Sequence, residues 1–366
     1  MSDIALRFSH STPSTRRALL LAGAAGLAAA SAAPWSWAAA NEVQGQGASF
    51  PSKVYALWAR RFAEAQGIKV NYKATGSGDG VAQAAARKVD FGGTDTPLSD
   101  KELSDRKLVQ VPMLVGGIVP VVRLPGVAPN RLQLTGDLLA ELMLGRIERW
   151  DDPRVAAQNR GLKLPAQRVV RVVRSERSGT TEGFTRYLAT VAPAFREGVG
   201  ASQAPKWPGE VMAVAGNDGV ADTVRATPGA IGYVSFDRAG VEGLAAVKLR
   251  NLDGHFVPAS EAAFRSAIVH SDLFRKEFDL ASLVEQAGAQ TWPITMTSFV
   301  LVDAQPAVAA TVQPTLRFLY WCLMRGDDLT RGTGFAALPL VAQARFAGRF
   351  AQVVPRDGVR PEYQAF

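Results

Sequence analysis

Cysteine occurs once in the 366 residues, at Cys322, and histidine three times. A single thiol excludes an intramolecular disulfide and leaves too few thiolates for a metal site. Past residue 40 only His255 and His270 remain, neither near a Ser-Gly elbow. No G-x-S-x-G, no G-x4-G-K-[ST] and no H-E-x-x-H occurs. Hydrolases with a nucleophile elbow, P-loop nucleotide enzymes and zincin-type metalloenzymes are thereby deprived of their machinery. No enzymatic activity, no metal and no cofactor is expected. The basic residues form no run of four or more, and the aromatics do not interleave with them as a nucleic-acid stacking platform requires. Nucleic acid is therefore not an expected partner.

What is present is a hydrophobic content of 47%, ample for two domains with real cores. The formal net charge is +8. Part of it belongs to an N-terminal segment with the marks of an export signal. Thr15-Arg16-Arg17-Ala18-Leu19-Leu20 is close to a twin-arginine pattern, an Ala/Gly/Leu stretch runs from Ala18 to Ala33, and Ala38-Ala39-Ala40 offers an A-x-A cleavage site. The apolar stretch is too short and too weakly hydrophobic for a permanent anchor. Residues 1–40 are expected to be removed on export, leaving 38 basic and 32 acidic side chains. Cys322 lies far from the cleavage site, so no lipid-modifiable cysteine heads the mature chain. Its neighbours Leu316, Leu319, Tyr320 and Leu323 read as helix core. A soluble, monomeric periplasmic protein is expected.

From Asn41 onward, short strand-like runs alternate with helical patterns, the signature of an α/β fold with parallel sheets. The spacing predicts a strand at Val43–Gly45 and a helix over Ser52–Gln66 with Pro51 at its first position. It then predicts a strand at Lys69–Lys73, a helix to Arg87, and a strand Asp90–Asp95 ending in a carboxylate. A helix at Ser99–Lys107 and a strand at Val109–Leu114 follow. Gly116–Val122 reads as a separate long strand passing between domains, and Ser298–Val302 as a second one. Helices are expected around Pro314–Arg325 and Pro339–Gln352. The organisation this implies is two lobes joined by two crossings: 41–118 and 295–366 in the first lobe, 119–294 in the second.

One stretch near the middle stands out. Arg174-Ser175-Glu176-Arg177-Ser178-Gly179-Thr180-Thr181 follows the apolar run Val169–Val173 and precedes a helical pattern at Phe184, Tyr187, Leu188 and Val191. Ser178, Gly179 and Thr180 would open a helix, where free N–H groups and the positive dipole end attract anions. Arg174 adds a planar, permanently charged donor fork, and Glu176 is placed to clamp it by a bidentate pair. Two further loops share the design of strand, small hydroxyl residues and helix start: Ser49-Phe50-Pro51 and Gly76-Ser77-Gly78-Asp79-Gly80. Taken singly, each is also an ordinary capped turn. At the carboxyl ends of strands in facing lobes they would meet in one cleft.

Asp95 sharpens this reading. A carboxylate repels an anion unless the ligand brings a proton to donate, as phosphate does near neutral pH and sulfate does not. A site built to pair a ligand O–H rejects analogues lacking it. The plain alternative makes Asp95 the aspartate that opens the next helix. Asp79 admits two roles, a second acceptor for a ligand proton or support for its own helix.

These stretches, with Gly45-Gln46-Gly47-Ala48, Val89–Asp95 and Pro97–Asp100, Leu144–Ile147 and Trp150–Asp152, Gly216–Gly219, Pro228–Val234 and Trp292–Thr295, closely resemble the periplasmic phosphate-binding proteins of bacterial phosphate ABC transporters. The resemblance implies a two-lobed periplasmic binding protein of type II that closes on phosphate and delivers it to an inner-membrane permease. Its ligand-contacting positions would fall on Ser49, the Phe50 N–H, Ser77, Asp95, Arg174, Ser178, Gly179 and Thr180, with Glu176 pairing the arginine. The Gly78-Asp79 pair departs from the family, where Ser or Gly is common at these positions.

Overall fold

The computed structural model describes residues 42–241, 243–276 and 279–365, so the leader read at 1–40 lies outside the described residues. The strands are β1 (Glu42–Gly47), β2 (Lys69–Ala74), β3 (Phe91–Thr94), β4 (Leu108–Val122), β5 (Gln133–Leu134), β6 (Val170–Arg174), β7 (Met212–Val214), β8 (Ala230–Ser235), β9 (Ala245–Ala246), β10 (Lys248–Arg250), β11 (Phe256–Val257), β12 (Thr295–Asp303) and β13 (Phe335–Ala336). The helices that concern the site are α1 (Ser52–Gln66), α2 (Ser77–Ala85), α3 (Asp100–Arg106), α4 (Gly136–Met143), α5 (Pro153–Gln158), α6 (Gly179–Val191), α7 (Pro193–Gly198) and α8 (Gly216–Ala226).

One curled sheet runs in the order β2-β1-β3-β12-β4-β8-β6-β7 and gives the two-lobed periplasmic binding protein fold. β1 is parallel to β2 and β3, and β6 is parallel to β7 and β8. The carboxyl ends of both parallel sets therefore carry the helix-opening loops. β4 joins the halves. Its first ten residues, Leu108–Gly117, run antiparallel along β12, and Ile118–Val122 run antiparallel along β8.

The sequence pattern reads two strands here, Val109–Leu114 and Gly116–Val122, whereas the structure carries them through as one fifteen-residue strand, buried throughout. The glycines are there for packing. A Cβ at Gly116 would sit 2.7 Å from the Phe335 ring, and one at Gly117 2.1 Å from the Phe264 ring. Aromatic rings thus press directly on the crossing backbone. Trp292, fully buried, pins the same point by donating its indole N–H to the Ile118 carbonyl at 3.0 Å.

α1 covers the expected residues, with Pro51 one place earlier as the N-cap, its carbonyl accepting from Tyr55 N–H at 3.0 Å. Pro314 lies inside a helix that starts at Ala309 rather than opening one. Cys322 is buried in that helix. No helix among the described residues is long and apolar enough to cross a membrane.

Candidate functional site

The first jaw is assembled from three loops that are distant in sequence. Gly47, Gly80 and Gly93 let the end of β1, the first turn of α2 and β3 approach backbone to backbone. A Cβ on Gly47 or Gly80 would lie 2.1 or 2.2 Å from the Gly93 carbonyl oxygen. Ala48 N–H closes the arrangement on that oxygen at 2.9 Å. Ser49, Ser77 and Asp95 are carried to one place as a result, and all three are buried. The Phe50 ring packs edge-on against Phe335 at 5.1 Å and fixes the loop, which leaves the Phe50 backbone as its polar face.

The second jaw is local. β6 ends at Arg174, and α6 starts at Gly179 with Ser178 as N-cap, its hydroxyl accepting from Thr181 N–H at 3.1 Å. The two jaws touch through polar atoms. Ser77 Oγ accepts from Asp95 N–H and from Gly179 N–H, each at 3.1 Å. Arg174 Nη2 donates to Ser49 Oγ at 2.9 Å, and Gly78 N–H donates to the Arg177 carbonyl at 3.2 Å. Gly179 is required here, because a Cβ on it would stand 2.5 Å from Ser77 Oγ and 2.6 Å from Asp95 Cβ.

Arg174 has 1% of its side chain exposed, and its Nη1 is buried without a partner among the described residues. A buried cationic donor with no acceptor costs far more than one that is paired. Glu176 accepts from Arg174 Nε at 2.8 Å and from Nη2 as well, both through Oε1. The expected bidentate fork is therefore corrected to a one-oxygen clamp. Gly216 N–H draws the carboxylate aside, donating at 3.2 Å to Oε1 and 3.4 Å to Oε2.

Asp95 is 6% exposed, with Ser298 Oγ donating to Oδ1 at 2.8 Å and Ser77 Oγ to Oδ2 at a long 3.4 Å. Burial pushes its carboxyl up to about 7, against the opposing pull of Ser298, the Arg174 charge and Ser77. The plain reading of Asp95 as the opener of α3 fails, because Ser99 holds that position with a complete capping box to Glu102. The contacts of Asp79 are with its own loop and helix and with β1. Its oxygens accept from Thr75, Gln46 and Gln83. Burial disfavours its charge, but those hydrogen bonds prevail and hold the carboxyl below its usual range.

Residues beyond the sequence-derived set belong to this cluster. Asn217, at the start of α8, donates to Ser49 Oγ at 3.0 Å and to Thr180 Oγ1 at 3.3 Å. Ser298 on β12 holds Asp95, and the Tyr233 hydroxyl meets Thr181 Oγ1 at 2.8 Å. Away from the cluster, Arg238 reaches the Phe50 carbonyl at 3.3 Å and Ser52 Oγ at 2.9 Å, while Thr96 Oγ1 donates to Glu182 at 2.7 Å. Nothing in residue type alone singles out Asn217 or Ser298, though the Gly216–Gly219 run marks the helix start that carries Asn217.

A family model described as a PBP superfamily domain matches residues 31–322. The phosphate-binding protein PstS of Haemophilus influenzae is 40% identical over 303 residues, 83% of this chain and 90% of its own length. The protein of the same name from Xylella fastidiosa is 38% identical over 299 residues, 81% of this chain and 82% of its own. Among solved structures, a phosphate-binding protein from Stenotrophomonas maltophilia matches with a TM-score of 0.63 at 20% identity, covering 84% of this chain and 93% of that one, a likeness of fold. By the identity, the coverage and the fold together, the chain belongs to the PstS family of phosphate-binding proteins.

Proposed function

We propose that the protein binds inorganic phosphate between its two lobes in the periplasm and delivers it to the permease subunits of an inner-membrane ABC importer. The observation that carries this reading is one buried cluster holding an unpartnered guanidinium nitrogen, fixed hydroxyl and amide donors, and a single carboxylate. The donors suit a tetrahedral oxyanion. In this reading Arg174 Nη1, the hydroxyls of Ser49, Ser178 and Thr180 and the Phe50 amide face phosphate oxygens, the Gly179 amide and the Ser77 hydroxyl turn to the ligand from their present partners Ser77 and Asp95 as it enters, and Asp95 shares a proton with the ligand. Glu176 steadies Arg174. Asp79 supports its loop.

Several charge-assisted hydrogen bonds of roughly 1.5–3 kcal/mol each would replace the water shell of the ion and leave micromolar affinity or better, about −8 kcal/mol. The lobes are assigned as 41–118 with 295–366, and 119–294, in keeping with the change of partners along β4 after Gly117 and the start of β12 at Thr295. The mature protein, freed of its twin-arginine leader and carrying no lipid anchor, acts as a monomer and performs no chemistry on its ligand.

Asp95 makes the selection depend on pH in a definite direction. Phosphate supplies the shared proton itself. Sulfate cannot, so it enters only when Asp95 is protonated, and its affinity falls about tenfold per pH unit above the carboxyl's value near 7. Calorimetric titration of the mature chain with phosphate tests the proposal, with a chromogenic phosphoester assayed alongside. Saturable phosphate binding without turnover is expected. Absence of phosphate binding, or hydrolysis of the ester, would contradict it.

A further inference from the structure

Asn217 is fully buried, and its side-chain amide makes three hydrogen bonds. The backbone N–H of Ser235 can only donate, and it donates to Asn217 Oδ1 at 2.9 Å. That bond fixes which way round the amide sits. Nδ2 is then turned toward two hydroxyls in different lobes, Ser49 Oγ at 3.0 Å and Thr180 Oγ1 at 3.3 Å. A hydroxyl oxygen has two acceptor sites and one proton. Ser49 Oγ receives one N–H from Asn217 and another from Arg174 Nη2 at 2.9 Å, so both its acceptor sites are filled by groups that can only donate. The Ser49 proton alone remains, and it must point outward to an acceptor.

We propose that Asn217 is a positioning residue for the anion site: it fixes Ser49 as a donor toward the bound oxyanion across the two lobes, and fills one acceptor site of Thr180. The inference rests on the phosphate-binding reading above and deepens it. Both donors to Ser49 come from the second lobe, so when the lobes part this hydroxyl becomes a free rotor able to present a lone pair to an anion. Closure therefore sets the polarity of the first jaw as well as burying the ligand. Ser77 Oγ likewise receives Asp95 N–H and Gly179 N–H from either side of the cleft, but its proton goes to Asp95 Oδ2. At Ser49 the control comes instead through Asn217, a side chain that substitution can reach.

Asn217→Asp gives the most direct test. It keeps the shape and the oxygen that accepts from Ser235, but replaces the donor by an acceptor, which turns the Ser49 and Thr180 protons away from the ligand. Phosphate affinity is read by calorimetry at about pH 8 for wild type, Asn217→Asp, Ser49→Ala and the double variant. The expected loss from Asn217→Asp is about thirtyfold or more in wild type, and about tenfold smaller in the Ser49→Ala background, because the hydroxyl it acts through is gone. The loss in wild type should also shrink as the pH is lowered toward about 5.5, where the new carboxyl takes up a proton and donates again. Equal losses in the two backgrounds would overturn the proposal, since added charge or a damaged fold then accounts for them, and so would wild-type affinity in Asn217→Asp. If that variant does not fold, the same cycle is run with Asn217→Ala, where additive losses overturn the proposal and non-additive ones support it. A wild-type chain that binds no phosphate would refute the reading beneath, a failure distinct from either.

Discussion

The two jaws of the site differ in how they are made and in what they contribute. The second is a single strand, turn and helix start within eight residues, Arg174 to Thr181, and it brings the positive charge and the capped helix. The first is spread from Ser49 to Asp95 over three loops, and it brings the carboxylate. A contiguous jaw can attract an anion by local rules alone. A dispersed jaw needs the whole parallel sheet and its glycine contacts before Asp95 faces Arg174's neighbourhood. In the proposed phosphate site attraction and selection are thus divided between the halves, and each half can be disabled separately.

The largest effect should come from the attracting jaw. Arg174→Ala is expected to weaken phosphate binding by about a hundredfold in calorimetry, since a charge-assisted contact of roughly 3 kcal/mol is lost and the Glu176 carboxylate is left behind unpaired. Wild-type affinity in this variant would end the assignment. Gly179→Ala is expected next, at about tenfold or more, because its Cβ would collide with Ser77 and Asp95 across the cleft. Its unliganded melting temperature should stay near wild type, which separates hindered closure from misfolding.

Asp95→Asn should change selection more than attraction. Sulfate affinity is expected to rise by about tenfold or more near pH 8 and to lose its pH dependence, measured by titration with each anion. The same variant carries a stability signature. The Asp95 carboxyl is raised from 3.8 to about 7 by burial, so the folded state holds the proton more tightly than the unfolded chain. Wild-type stability from this group falls as pH rises between those values and levels off above. Asp95→Asn should therefore stabilise the unliganded protein more at about pH 8 than at about pH 5, by roughly 2.5 kcal/mol. A variant equally stabilised, or destabilised, at both would argue against burial as the cause. The smallest effect belongs to Asp79→Asn, about threefold or less in phosphate affinity, with a modest fall in melting temperature as the Thr75, Gln46 and Gln83 contacts weaken.

The same contrast explains what could be read without coordinates. The Arg174–Thr181 stretch is visible in sequence because capping, turn and strand patterns all act locally, and the α1, α3 and β8 patterns were legible for the same reason. Asp95 could be suspected from its place after β3, but its depth and raised carboxyl depend on Ser298, a partner 203 residues away. Asn217 was hidden in an ordinary helix start, since only its Ser235 anchor and two long-range hydroxyl contacts give it meaning. The separation of Val109–Leu114 from Gly116–Val122 failed for a related reason: the strand runs on through Val115 and both glycines, whose small size the rings of Phe335 and Phe264 require. The Glu176 fork was mistaken because the Gly216 amide that draws the carboxylate aside lies forty residues on.

The central claim is that one jaw attracts an oxyanion and the other admits it only with a proton. Intrinsic fluorescence from the five tryptophans past Ala40 can follow it in the mature chain, with phosphate and then sulfate titrated near pH 8. The account predicts saturation by phosphate at micromolar concentration or below and a sulfate affinity weaker by about tenfold or more, the gap widening as pH rises. Comparable affinity for the two anions would contradict it.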